Sequence, residues 1–166
     1  MINTTNNSYK IKNLYIHIGR HKSASTSIQA WLLSNKDYLK QKGILYSTVS
    51  AKISKGRFFA CHNLAALCND ISPNGIEKLK EAAKIILQEI QNSDCYSLIL
   101  SSEGFQNIKD MTNLNYLINF LAPEKVKVIC IFREYLDYAV SAYRQRIHNR
   151  IETVTFFEHL KSYSKE

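Results

Sequence analysis

Apolar and polar positions change rhythm along this chain, and each change marks an element. Residues 13–19 (Asn-Leu-Tyr-Ile-His-Ile-Gly) predict a short first strand. From 24 to about 41 the period becomes helical, with Ile28, Trp31, Leu32, Asn35 and Leu39 near one face and Gly43 as the C-terminal cap. Residues 44–47 read as a strand and 48–57 as a polar, lysine-bearing loop. Residues 58–69 read as a helix and Pro73-Asn74-Gly75 as a turn. An amphipathic helix follows over 76–92, with Ile76, Leu79, Ala83, Ile86, Leu87 and Ile90 at helical spacing. Residues 96–101 predict a buried strand, 112–121 a helix, and 125–132 a β-branched strand. Two more helices are expected, over roughly 135–149 and 154–162. Strand, loop and helix alternate, and the strands are nearly all apolar. That pattern predicts an α/β fold: a parallel sheet with helices on both faces, ligands binding at the C-terminal ends of the strands.

A chain of 166 residues suffices for one core and is short for two. The polar stretch 1–12 reads as a disordered lead and 13–166 as a single domain. No apolar run reaches the ~18 residues of a membrane span, and the N-terminus lacks the apolar centre of a signal peptide, so a cytoplasmic location is expected. The cysteines agree with this. Cys61, Cys68, Cys95 and Cys130 form no CxxC pair and no zinc spacing. Cys61 and Cys68 lie two helical turns apart, too far for a disulfide, and Cys130 sits in an apolar strand as a buried thiol. The net charge of +8 suits an anionic partner. No basic patch interleaved with aromatics and no zinc finger is visible, which turns the reading away from nucleic acid.

The chemistry concentrates in two places. After the first strand comes Gly19-Arg20-His21-Lys22-Ser23-Ala24-Ser25-Thr26-Ser27. A loop with a lysine leads into a hydroxyl-rich helix start, so backbone N–H groups, the helix dipole, the Lys22 ammonium and the hydroxyls of Ser23, Ser25, Thr26 and Ser27 converge on one spot. Phosphate or sulfate fits such a cradle. The spacing is not that of a Walker A loop, because Gly19 precedes Lys22 by three residues and Ser-Ala-Ser-Thr-Ser follows it. The second place is the end of strand 125–132. Arg133 closes it, and Ser141 follows eight residues later on the next helix. An arginine at a strand end can grip phosphate with two bonds, and the serine can turn its hydroxyl to the same anion. Taken singly, the loop also fits a Ser-rich helix start with a solvated lysine, and Arg133 a surface ion pair. Two motifs in this order, over a hundred residues apart, make coincidence the weaker account.

Together these motifs resemble the sulfotransferases that use 3′-phosphoadenosine-5′-phosphosulfate (PAPS), and in particular bacterial carbohydrate-acting members. Lys22-Ser23-Ala24-Ser25-Thr26 is similar to the family's phosphosulfate loop, with Ala24 where a glycine is usual. Arg133 and Ser141 have the spacing of its 3′-phosphate grip, with Asp137, Ala139, Val140 and Tyr143 alike and Tyr135 in place of a common proline. The resemblance runs from about 13 to 160. It implies a three-layer P-loop-type α/β fold, PAPS as co-substrate without a metal, and a hydroxyl acceptor such as a sugar or glycan. It also implies that residues 19–27, Arg133 and Ser141 bind the nucleotide. Family members continue past the second motif, so the chain reads as a truncated, shortened or minimal member.

Sulfuryl transfer needs charge stabilisation on the leaving phosphate and a base for the attacking hydroxyl. Lys22 is the candidate for the first. Glu103, in Leu-Ser-Ser-Glu-Gly after strand 96–101, and His62, on the helix 58–69, compete for the second, with Glu103 slightly ahead. Each also has a plainer reading, Glu103 as a first-turn carboxylate and His62 as a half-buried satisfied histidine. His17 alternates with Tyr15 and Gly19 on the strand and reads as structural, while His21 lies in the loop near the anion. Two other functions fit parts of the pattern. One is a non-catalytic nucleotide- or anion-binding module, a degenerate sulfotransferase. The other is a P-loop small-molecule kinase, which would need an aspartate at a strand end for magnesium, where this chain has Ser101-Ser102-Glu103 and Arg133.

Overall fold

The computed structural model describes residues 10–19, 25–47, 49, 60–151 and 153–163. In chain order the elements are β1 (Asn13–His17), α1 (Ser25–Ser34), α2 (Lys36–Gln41), β2 (Ile44–Tyr46), α3 (His62–Asn69), α4 (Pro73–Gln91), β3 (Ser97–Ser101), a 3₁₀ helix (Glu103–Asn107), α5 (Thr112–Leu121), β4 (Lys125–Ile129), α6 (Tyr135–His148) and α7 (Phe156–Tyr163). The four strands form one open, all-parallel sheet in the order β2-β3-β1-β4. The α/β class and the parallel sheet read from the alternation are therefore present. Among the described residues no helix is long and apolar enough to cross a membrane.

Strand residues alternate between two apolar clusters, because successive side chains leave opposite faces of a strand. Leu14 and Ile16 of β1, Leu45 of β2 and Leu98 and Leu100 of β3 join the larger cluster, with Leu64, Leu79, Ile86 and Leu117 from α3, α4 and α5. Ile44, Tyr46 and Ile99 turn the other way and meet Ile28, Leu32 and Leu39 from α1 and α2. Each such buried aliphatic side chain contributes about 1.5–3 kcal/mol. Within the stretch expected as a lead, Ile11 is buried in the larger cluster and the Lys12 N–H donates to the Tyr96 carbonyl at 2.8 Å. Gly43 follows α2 at φ +70°, the left-handed conformation expected of it as a cap.

The structure corrects several expectations. The helix over 24–41 is two helices, broken at Asn35, whose side-chain amide competes for the Trp31 carbonyl at 2.8 Å. Trp31 is 53% exposed, and the inward positions of α1 are Ser25, Gln29 and Leu32. The turn read at Pro73-Asn74-Gly75 is the first turn of α4: Ser72 caps it by accepting from the Gly75 N–H at 3.1 Å, and proline fits the first helical position because its missing N–H has no partner there. The last strand stops at Ile129, not 132, and all five of its residues are exposed. It is an edge strand paired only with β1, and α6 buries only Ala139. Cys130 is consequently exposed, not a buried thiol, whereas Cys61, Cys68 and Cys95 are buried and free.

Candidate active site

The site begins with strand register. His17 at the end of β1 pairs with Ser101 of β3 on one side and with Ile129 of β4 on the other. Three strands thus finish level, and the segments leaving them open at one sheet edge. Backbone bonds tie those exits together. The Ile18 N–H donates to the Ile129 carbonyl at 3.0 Å, the Ser102 N–H to the His17 carbonyl at 3.0 Å, and the Cys61 N–H to the Ser101 carbonyl at 2.7 Å. The last of these fixes the start of α3, and with it His62, at the same edge.

Glu103 is the centre of the cluster. It is 8% exposed, in the first turn of a 3₁₀ helix that Ser102 caps by accepting from the Gly104 N–H at 3.0 Å. Both carboxylate oxygens are engaged. The Ser25 hydroxyl donates to Oε1, and the Gln29 amide donates to Oε2 at 3.1 Å. Ser25 and Gln29 stand one turn apart on the inner face of α1, so this carboxylate holds the helix start against the sheet edge. Burial alone would raise the Glu103 pKa. Bonds from Ser25, its own backbone N–H and Gln29, with the His62 ring nearby, outweigh burial and hold it below the ordinary 4.5.

His62 faces the same group from α3. Its Nδ1 lies 2.9 Å from the Ser102 hydroxyl and 3.7 Å from Glu103 Oε2, while its side chain stays 46% exposed. A carboxylate behind Nδ1 favours the tautomer with the proton there, which leaves the ring's lone pair on Nε2. Behind this pair, His17 is 2% exposed, with Nδ1 2.7 Å from the Ser101 hydroxyl. The Tyr46 hydroxyl bonds to the same serine. Two buried atoms at this edge, His17 Nε2 and Gln29 Oε1, have no hydrogen-bond partner among the described residues.

The expected site residues fall into three groups. Ser25, Glu103 and His62 come together, but Ser25 spends its hydroxyl hydrogen on Glu103. Gly19 is buried against the His17 ring, and Thr26 and Ser27 are exposed in the first turn of α1. Arg133 and Ser141 belong to the neighbouring β4–α6 segment, where Arg133 Nε lies 3.9 Å from Asp137 Oδ2 and Ser141 is half-buried. Arg20, His21, Lys22, Ser23 and Ala24 lie outside the described residues. Sequence reasoning passed over Gln29, Ser101, Ser102 and Tyr46 as working parts. The signal for Gln29 was its spacing of four from Ser25 on an otherwise apolar face. Comparison with family models, curated proteins and solved structures finds no match to this chain.

Proposed function

We propose that the chain is a sulfotransferase of the PAPS-dependent, P-loop type, moving a sulfuryl group to an acceptor hydroxyl, on a carbohydrate by preference. One observation carries this reading: the in-register ends of β3, β1 and β4 bring Glu103, the exit toward residues 19–25 and the exit toward Arg133 to one sheet edge. A ligand with two separated anionic groups would span the two exits. The start of helix α1, tied to this edge by the Ser25–Glu103 bond, offers N–H groups to the first, and the preceding sequence supplies the charge of Lys22. Arg133 and Ser141 serve the second, the 3′-phosphate. The central position of β1 between β3 and β4, with apolar clusters on both sheet faces, suits a three-layer P-loop arrangement.

In the reaction the acceptor oxygen forms a bond to sulfur as the bond from sulfur to the 5′-phosphate oxygen breaks. Negative charge grows on the leaving phosphate, and Lys22 with the start of α1 stabilises it. The hydroxyl proton goes to the base. Of the two candidates, we favour His62, whose side chain stays half-exposed while Nδ1 meets Ser102 and Glu103, and give Glu103 the positioning role behind Nδ1. The protein would act in the cytoplasm on a nucleotide co-substrate, without a metal.

The grip on the 3′-phosphate is the testable core of this reading. Arg133→Ala should erase the preference for 3′-phosphoadenosine-5′-phosphate over its 3′-dephosphorylated analogue, a loss of about 1.5–3 kcal/mol for a charged hydrogen bond. Titration calorimetry of both nucleotides against wild type and variant measures it. Full retention of the preference in the variant would show that Arg133 is not the 3′-phosphate ligand.

A further inference from the structure

Strand β4 is open along its outer edge and on both faces. Among the described residues it pairs with β1 alone. Leu14 and Ile16 of β1 are 0% and 2% exposed, yet their register partners on the same sheet face, Val126 and Val128, are 41% and 60% exposed. The apolar face of the larger cluster thus continues onto β4 without a cover. Helix α6 buries only Ala139, and all five β4 residues stay exposed.

The backbone of β4 has a free side as well. The Lys125 N–H donates to the Lys12 carbonyl at 3.1 Å, and the Ile129 carbonyl accepts from the Ile18 N–H at 3.0 Å. Residues 125, 127 and 129 therefore turn their backbone groups to β1, and strand alternation turns those of Val126 and Val128 outward. Outward N–H and C=O groups beside uncovered valines are a template for one more strand.

The lysines decide which strand fits. Lys125 and Lys127 stand on the face opposite the valines, and Lys127 Nζ lies over the Tyr15 ring, 5.1 Å from its centroid. Antiparallel pairing with a second copy is opposed. Centred on Lys127, it sets that residue against itself; centred on Val126, it sets Lys125 against Lys127 of the other copy. Centred on Val128, it overlaps only residues 127–129 of the strand. Each copy also carries a net charge of +8. Lysines on an edge deter self-pairing in this way, and the same charges favour a strand that brings carboxylates opposite them.

We propose that the free edge of β4 is a docking site for an extended segment of an acidic partner protein, in which apolar residues alternate with glutamate or aspartate. Its backbone bonds to Val126 and Val128, its apolar side chains lie beside these valines, and its carboxylates meet Lys125 and Lys127. The site is independent of the sulfotransferase reading.

The test is amide NMR of the nitrogen-labelled full chain with two synthetic peptides, one alternating valine with glutamate and one alternating valine with lysine. In the free chain the Val126 and Val128 amides should exchange quickly with solvent and the Lys127 amide slowly. The glutamate peptide should shift and protect both valine amides, and bind about tenfold or more tighter than the lysine peptide, the worth of two cross-strand charge pairs. Val128→Pro removes an outward N–H and keeps the bonds to β1, so it should abolish peptide binding in a folded chain. Lys127→Glu, an exposed substitution that leaves the backbone alone, should move the preference toward the lysine peptide. Equal binding of the two peptides, binding that leaves Val126 and Val128 unmoved, or no binding up to about 1 mM overturns the proposal. Protection of both amides in the free chain also overturns it. If that protection grows with concentration alongside a dimer in sedimentation, a second copy fills the edge; if it does not, the chain covers the edge itself.

Discussion

In the proposed reaction Glu103 and His62 divide one task by their surroundings. Glu103 has both oxygens occupied and is almost fully buried, while the His62 side chain stays half-exposed. His62→Ala should therefore lower turnover by about 10²–10⁴-fold, the usual contribution of a general base. Glu103→Gln, which removes the charge behind Nδ1, should lower it by about 10–100-fold, as loss of an orienting partner does. Nucleotide affinity should hold in both, so parallel calorimetry separates chemistry from binding. An inactive Glu103→Gln beside a fully active His62→Ala would reverse the assignment. Ionisation of Glu103 also shapes stability. Its folded pKa lies below the ordinary 4.5, so its contribution is complete above that value and disappears as pH falls through the lowered one. Ser25→Ala removes the bond first among those that oppose burial and should shrink this acid-side loss. Urea unfolding of wild type and variant from about pH 6 down to about pH 3 checks it, the two curves converging at the acid end.

At the scale of elements, helix starts meet at the candidate site and a helix end carries strain. Helix α1 begins with Ser25 on Glu103, and α3 begins beside the Ser101 carbonyl, so two N-termini reach the working edge. At the other end, α5 closes on Ala122 at φ +45°, a left-handed conformation that opposes a Cβ, immediately before Pro123. Ala122→Gly should relieve it and raise stability by about 0.5–1 kcal/mol after the extra unfolded-state entropy of glycine is counted. Denaturant titration measures the change, and a loss of stability would show that the turn tolerates alanine without strain. These elements were legible to different degrees. The inner face of α4 and the glycine after α2 are visible because period and cap are local signals. The break at Asn35 and the proline-led start of α4 were not, since each depends on which carbonyl or N–H a side chain reaches.

For the whole molecule, sheet order decides what meets. Nothing in the sequence states that β1 lies between β3 and β4, yet that order brings the end of β1, the Ser101-Ser102-Glu103 segment and the exit toward Arg133 to one edge, with over a hundred residues of chain between the first and the last. The sequence did indicate that the segments beginning at Gly19 and Arg133 follow strand ends, because apolar runs stop where they begin. It could not show that Gln29, Ser101 and Tyr46 close the cluster from behind, as their contacts are tertiary. The edge strand β4 was misjudged because its β-branched residues suit a strand whether or not a helix covers it. The same order supplies the account's central claim, that one ligand bridges the exits of β1 and β4. Titration calorimetry of the full chain with 3′-phosphoadenosine-5′-phosphate against ATP addresses that claim most directly. The account predicts tighter binding of the 3′-phosphorylated nucleotide by about 10–100-fold, the worth of one charged phosphate contact. Equal or tighter binding of ATP, or no binding of the 3′-phosphorylated nucleotide, would contradict it.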